Sequence, residues 1–322
     1  MPSKRPVNRQ TALIRSRFVL ETASELVGDD NWPYKQAVVY LREQGADGWK
    51  IGLFGSDAPD GIEDVTSGRV QVAIVNPSVT LAMAYRGTGS FKQPHPWLRA
   101  ISVLPQFDQL GMAVAESTGL TSLADIRDRR YPLRISMRGQ ADHNVHRVCT
   151  QVFDAMDFSF EDIVSWGGEV RYDSELPNGP NRIGAVERGE IDAIFDEATT
   201  MWVNRGLDLG MRFLSIDDSC LRQLEDVGFR RVAMPLDDFP KMPRDVWTVD
   251  FSGWPVFTRE EVPDSIIRAF CEALEIRKDR IPYWYGSGPL RLDLMCKDTR
   301  EGPLMIPLHP AAEAFWHEQG YL

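Results

Sequence analysis

Apolar and polar positions along this chain fall into short blocks, and two of the blocks are near copies. GRVQVAIVNPS (Gly68 to Ser78) and GEIDAIFDEAT (Gly189 to Thr199) each open on glycine. Each passes through a charged residue and a β-branched one, continues into a short apolar run and ends polar. The stretches just before them, GIEDVTSG and NRIGAVERG, read as short helices that stop on that glycine. Each copy therefore predicts a helix, a buried strand and a polar cluster at the strand's carboxyl end.

The surrounding pattern extends this reading in both directions. RFVLETASE (Arg17 to Glu25) is rich in strand formers, and PYKQAVVYLREQG puts Ala37, Tyr40 and Leu41 on one helical face before Gly45. WKIGLFGSD is a compact strand ending at Gly55 and Ser56, and TLAMAYRG a helix after the first copy. LRAISVLPQ and LGMAVAES then read as strands. A second round follows: TSLADIRDRR as helix, PLRISMRG as strand, and ADHNVHRVCTQVFDAM as helix with Val145, Val148, Val152 and Met156 at helical spacing. EDIVSWGGEVRY adds a turn and a strand ahead of the second copy. Strand–helix alternation written twice predicts an α/β fold of two Rossmann-like lobes, each with a parallel sheet and right-handed crossovers. Beyond it lie a strand candidate, VWTVDFSGWPVFT, an amphipathic helix from an N-cap at Asp264, and a last helix in HPAAEAFWHEQG. No low-complexity tract separates the halves, so the lobes share strands or hinges rather than a tether.

Composition narrows the function. A length of 322 residues suits two cores rather than one. A formal charge of −11 excludes a nucleic-acid partner, since no basic surplus exists to replace phosphate counterions. The 4 cysteines lack CxxC spacing, which points to free thiols rather than a metal cluster or disulfide framework. No apolar run is long enough to insert in a membrane, and the basic N-terminal stretch lacks the apolar core of a signal peptide. A cytoplasmic location is the expectation unless an export segment lies outside this sequence.

In open α/β sheets ligands bind outside the carboxyl ends of the strands. For the first lobe those ends carry Ser24, then Gly55 and Ser56, then Asn76 and Ser78, which should form one rim. For the second, the RGQADHN turn joins a strand end to a helix start, where free N–H groups favour an anion. There Arg138 could clamp a carboxylate, with Gln140, His143 or Asn144 orienting it. Strand alternation sends Asp196 and Glu197 to opposite faces, and Glu197 is the one expected in the cleft. Arg138 and Glu197 together suit an amino-acid-like or amide-bearing ligand, or else form a salt bridge. Trp254 either stacks on a planar ligand or packs in the core. His143 and His146 lack a third ligand and the Glu of HExxH, so neither metal nor cofactor is assigned.

Four segments, GIEDVTSGRVQVAIVNPSVTLAMAYRG, LTSLADIRDRRYPLRISMRG, VERGEIDAIFDEA and LHPAAEAFWHEQG, together resemble the solute-binding receptors of TAXI-type TRAP transporters. The resemblance implies a type II periplasmic-binding-protein fold with a two-strand hinge near Gln109 to Ala115 and Val246 to Thr258. It implies one lobe of residues 1–108 plus 252–322 and another of residues 109–251. It also implies a periplasmic location, membrane subunits as partners, and a small organic acid or amino-acid-like ligand. The chain departs from it in lacking an export leader and in carrying RGQADHNVH where a Gly-Ser-Gly-Thr-like turn is usual. No nucleophile elbow, P-loop or dinucleotide fingerprint is present. Two alternatives follow from the missing leader. One is a cytoplasmic decarboxylase or hydrolase using His143 with Asp142 or Glu197 as acid and base; the other is a cytosolic ligand sensor.

Overall fold

A computed structural model of the chain describes residues 9–28, 36–42, 51–55, 58–281 and 289–322. The first part contains α1 (Arg9–Gly28), β1 (Ala37–Leu41), β2 (Ile51–Gly55), α2 (Asp60–Thr66), β3 (Val72–Ile74), α3 (Ser78–Arg86) and β4 (Leu98–Leu104). The middle part begins with β5 (Gly111–Ala115), α4 (Leu123–Asp128), β6 (Arg134–Arg138), α5 (Val145–Ala155), α6 (Phe160–Ser165) and β7 (Glu169–Asp173). It continues with α7 (Ile183–Glu187), β8 (Ala193–Asp196), α8 (Thr199–Asp208), β9 (Met211–Phe213), α9 (Asp218–Val227), β10 (Arg231–Ala233) and β11 (Trp247–Val249). The chain closes with β12 (Trp254–Arg259), α10 (Asp264–Arg277), α11 (Leu292–Met295) and α12 (Pro310–Glu318).

Two five-stranded sheets organise these elements, in the orders β1-β2-β3-β12-β4 and β7-β6-β8-β5-β9. Strands β2 and β3 run parallel, as do β6 and both its neighbours. The strands that follow the two crossings run against this grain. β5 is antiparallel to β8 and β9, and β12 is antiparallel to β3 and β4. The chain thus leaves one sheet through residues 105–110 and returns through residues 250–253, where Gln109 bridges Asp250. The architecture is the two-sheet α/β fold that the alternation predicts, but both sheets are mixed rather than parallel, because β1, β5 and β12 pair antiparallel. The glycines closing the two repeated helices, Gly68 and Gly189, have φ of +79° and +70°, a left-handed turn that glycine enters without steric penalty.

Two predicted elements exchange type at the N-terminal end. RFVLETASE lies inside α1, and AVVYL forms β1, an edge strand antiparallel to β2. The apolar residues of α1 face no core, Phe18 being 74% and Ile14 62% exposed, so burial did not constrain their spacing. Helix-forming Arg, Leu, Glu and Ala then decide α1, while Val38, Val39 and Tyr40 fit the ladder against β2. VWTVDFSGWPVFT is two strands rather than one, split at 250–253, where Gly253 has φ +82°. EDIVSWGGEVRY holds the helix α6, started by a Ser159–Asp162 capping box, and not only a turn. At α10 the N-cap is Pro263, with Asp264 in the first turn.

The second sheet packs Ile135, Met137 and Phe195 against Val145, Val148, Val152 and Met156, the α5 face and the residue that follows it. The first packs Ile101 and Val256 against Ile267, Cys271, Phe315 and Trp316 of the C-terminal helices. Trp316 is fully buried, and its indole Nε1 donates to the Ile101 carbonyl at 2.9 Å. His309 caps α12 by accepting from Ala311 N–H. All four cysteines are free and buried. Among the described residues no helix is long and apolar enough to cross a membrane.

Removing the Trp316 ring should leave a cavity and an unpartnered carbonyl, at a cost of about 3–5 kcal/mol. Urea unfolding of Trp316→Ala measures this, and a loss below ~1 kcal/mol would contradict the packing described.

Candidate functional site

The polar ends of the two repeated strands meet. Asn76, just past β3, and Glu197, just past β8, line one cavity of about 150 Å³ between the sheets. Trp254 opens β12 on the first wall. Arg138 ends β6 and His143 precedes α5 on the second. Gln106, Phe107 and Asp108 enter from the outgoing crossing. A larger groove of about 610 Å³ runs along β9, but it draws on one sheet only. Its Arg212 and Lys241 are already paired with Glu116 and Asp208. The smaller cavity, walled by both sheets, is the candidate site.

Hydrogen bonds tie the walls together. Asn144 Nδ2 donates to the Asn76 carbonyl, and Gln36 Nε2 donates to Asp142 at 2.9 Å. Asn76 Nδ2 donates to Gln106 Oε1 at 3.2 Å. Asp108, buried at the crossing, gathers hydrogen bonds from several protein donors. Its carboxylate accepts from the N–H groups of Gln109 (2.8 Å), Ala198 (2.8 Å) and Thr199 (3.1 Å), and from Thr199 Oγ1 (2.9 Å). Its backbone N–H donates to Ser252 Oγ, and its carbonyl accepts from that same hydroxyl, both at 3.0 Å. One residue of the outgoing segment thereby joins the returning segment to the start of α8.

Behind the cavity wall sits a buried ionic cluster. Arg138 donates through Nε and one terminal nitrogen to both Asp196 oxygens, at 3.2 and 2.9 Å, and also to Glu197 Oε1. Arg182, fully buried, donates to Asp196 and, at 3.0 Å, to Ser136 Oγ. Burial works to raise Asp196, but the Arg138 and Arg182 charges outweigh it and hold its carboxyl below the usual range. Glu197 goes the other way: burial, reinforced by the neighbouring Asp108 charge, pushes it well above the usual glutamate range. Asp108 is raised by burial as well, against the pull of its donors, among them a hydrogen bond from Glu197. Both carboxyls thus lean toward the protonated form, Glu197 the more strongly.

His143 presents a defined face. Its Nδ1 accepts from Val145 N–H at 3.1 Å, so the ring proton belongs on Nε2, which lies 3.9 Å from Glu197 Oε1. The ring stacks on Phe251, 6.4 Å between centroids.

Of the residues named from the sequence, Asn76, Arg138, His143, Glu197 and Trp254 are brought together in the cavity. Asn144 stands behind Asn76. Ser78 begins α3, with its N–H on the Ser252 carbonyl. Gln140 is half-buried and supports the turn, its carbonyl accepting from His143 N–H at 3.2 Å and meeting His146 Nε2 at 2.9 Å. Gly55 ends β2 exposed, away from the cavity. Ser24 is a correction: it lies exposed on α1, because its segment is helix and not the first strand of a sheet. Ser56 falls outside the described residues. Asp142, considered as an acid–base partner, is exposed and bonded to Gln36 instead. Arg138 and Glu197 form the salt bridge. Among the described residues no cluster of three or more His, Cys, Asp or Glu is placed to hold a metal. Reading the sequence missed Asp108, Gln106 and Arg182. Asp108 did leave a trace, a lone acid between two apolar strands in LPQFDQLGM; Arg182 left none.

This topology and cavity define the class: a mixed α/β protein of two five-stranded sheets with a cavity walled by both. Residues 56–320 match the NMT1-like family, and the chain belongs to it. No curated protein sequence matches the chain. Similar solved structures include the L-cystine solute receptor of Neisseria gonorrhoeae in its unliganded open conformation, at 10% identity and TM-score 0.29, covering 67% of this chain and 65% of that one. The glycine betaine/L-proline-binding protein ProX of Borrelia burgdorferi matches at 13% identity and TM-score 0.37, covering 65% and 63%. MatC of Rhodopseudomonas palustris, with bound malate, matches at 12% identity and TM-score 0.33, covering 65% of each. The chain spans less than two thirds of the length of each of these three structures.

The Glu197 shift has a direct consequence for stability. A carboxyl whose folded pKa lies above its unfolded value near 4.5 contributes fully below pH 4.5, and that contribution is lost as pH rises through the folded value. Glu197→Gln is neutral at every pH. Its Tm relative to the unmodified protein should therefore climb as pH rises above 4.5 in a thermal-denaturation series, levelling off beyond the folded value, and a flat difference would refute the assignment.

Proposed function

We propose that this chain is a solute-binding protein that closes two lobes on one small polar molecule. In this reading residues 1–108 with 252–322 move against residues 109–251 about the two crossing segments. The observation that carries it is the single cavity with Asn76 and Trp254 on one wall and Arg138, His143 and Glu197 on the other. Opening the lobes would part the Asn144–Asn76, Gln36–Asp142, Thr88–Val227 and Arg147–Ser90 contacts and the packing of Val79 and Met83 on the second core, which ligand contacts would have to outweigh. The four segments resembling TAXI receptors extend the reading to the receptor subunit of a TRAP-type transporter, working outside the cytoplasm beside membrane subunits. An acidic solute would be met by the His143 imidazole and the Trp254 indole, because Arg138 already holds two carboxylates.

The test is a thermal-shift screen of small polar solutes, followed by titration of any hit against Asn76→Ala and His143→Ala. A specific ligand at about 100 times its Kd should stabilise the folded state by about 2.7 kcal/mol. Both variants, drawn from opposite walls, should weaken the hit. Binding untouched by both would remove this cavity as the site, and turnover of the hit would replace the receptor by an enzyme.

A further inference from the structure

The cavity's charge does not match the acidic solute that its lone arginine suggests. Five ionisable groups, Asp108, Asp196, Glu197, Arg138 and Arg182, are all buried. They amount to three carboxyls against two guanidiniums. Both guanidiniums are committed to carboxylates, Arg182 to Asp196 and Arg138 to Asp196 and Glu197. Other charges close by do not alter the count. Asp250, on the returning segment, is paired with Arg230 at 3.0 Å. Asp173, on β7, lies 3.8 Å from Arg171 and accepts from Ser136 Oγ. The Cys149 thiol of α5 is pushed up by burial and keeps its proton at neutral pH. His143 offers a donor on Nε2. A buried site with one negative charge in excess must hold either a proton or a cation.

We infer that the site takes a small protonated amine carrying a neutral hydrogen-bond acceptor, its ammonium group seated on Glu197 and Asp108. This rests on the solute-binding reading and names the ligand class for it. The acceptor suits the opposite wall. Trp254 Nε1 is buried, lines that side and has no hydrogen-bond partner among the described residues. A turn of the ring that brings Nε1 to the cavity would let an oxygen of the ligand satisfy it, and the indole sets an aromatic surface near the cation. A second anionic group on the ligand would restore the excess negative charge that the ammonium removes. The volume agrees, since a cavity of about 150 Å³ admits only a small solute. Binding is an exchange: the ligand brings one positive charge, Glu197 releases its proton to solvent, and the buried cluster stays neutral throughout.

Four solutes of one length separate the possibilities by calorimetry on the full chain at pH 7: 4-aminobutanamide (cation with neutral acceptor), succinamide (neutral), succinamate (anion) and 4-aminobutanoate (zwitterion). The expected result is binding of 4-aminobutanamide alone, with about one proton released per ligand when heats are compared in buffers of different ionisation enthalpy. Glu197→Gln keeps a donor toward Asp108 but removes the charge. It should weaken the amine by roughly 30-fold or more and abolish the proton release. The proton count on the unmodified protein decides the matter even where that variant folds poorly. Binding of succinamate or the zwitterion in preference would overturn the cation assignment while leaving the solute-binding reading intact. Uptake of a proton, or none exchanged, would also overturn it. Failure of all four, together with failure of every solute in the wider screen, would sink both.

Discussion

The bidentate grip of Arg138 on Asp196 is the contact around which the second lobe's ligand face is arranged. Arg138 is the last residue of β6 and Asp196 the last of β8, neighbouring parallel strands, so the pair fixes where both strands stop. Arg182 reinforces it from the residue before α7, and Asp196 also accepts the Glu197 N–H at 2.9 Å. The next residue is thereby aimed at the cavity. Buried ion pairs of this kind add little net stability over an apolar core, because desolvation offsets the Coulomb gain. What they contribute here is placement, since loss of one partner leaves a charge with nowhere to go.

A second constraint acts at the junction. Each sheet contains one antiparallel strand delivered by a crossing, β5 in one and β12 in the other, so neither sheet is complete without the other's connection. Asp108 sits on one crossing and Ser252 on the other, hydrogen-bonded to each other through backbone and side chain. The Asp108 carboxylate also receives the N–H groups that open α8. Crossing, helix start and cavity wall therefore share one acidic side chain.

Much of this was legible in the chain. The two glycine-led repeats announced two buried strands with polar ends, and Asn76 and Glu197 do face one cavity. Apolar spacing in α5 identified a buried face correctly because that face packs on the second sheet. Where burial is absent the same reasoning lost its footing: α1 and β1 are largely exposed, and their types were exchanged. Ser24 left the site for that reason.

Periodicity, turn residues and helix stops act within a few residues of one another, so the sequence alone determined the alternation of elements, the two-lobed α/β class and the strand ends that carry polar groups. Which charges face each other across 58 or more residues was decided only by tertiary structure. Arg138 read in isolation is a clamp for an anion; beside Asp196 and Glu197 it is already satisfied. The sign of the cavity follows from that pairing together with Asp108 and Arg182, and Coulomb interactions and desolvation depend on distance in space, which spacing along the chain does not record.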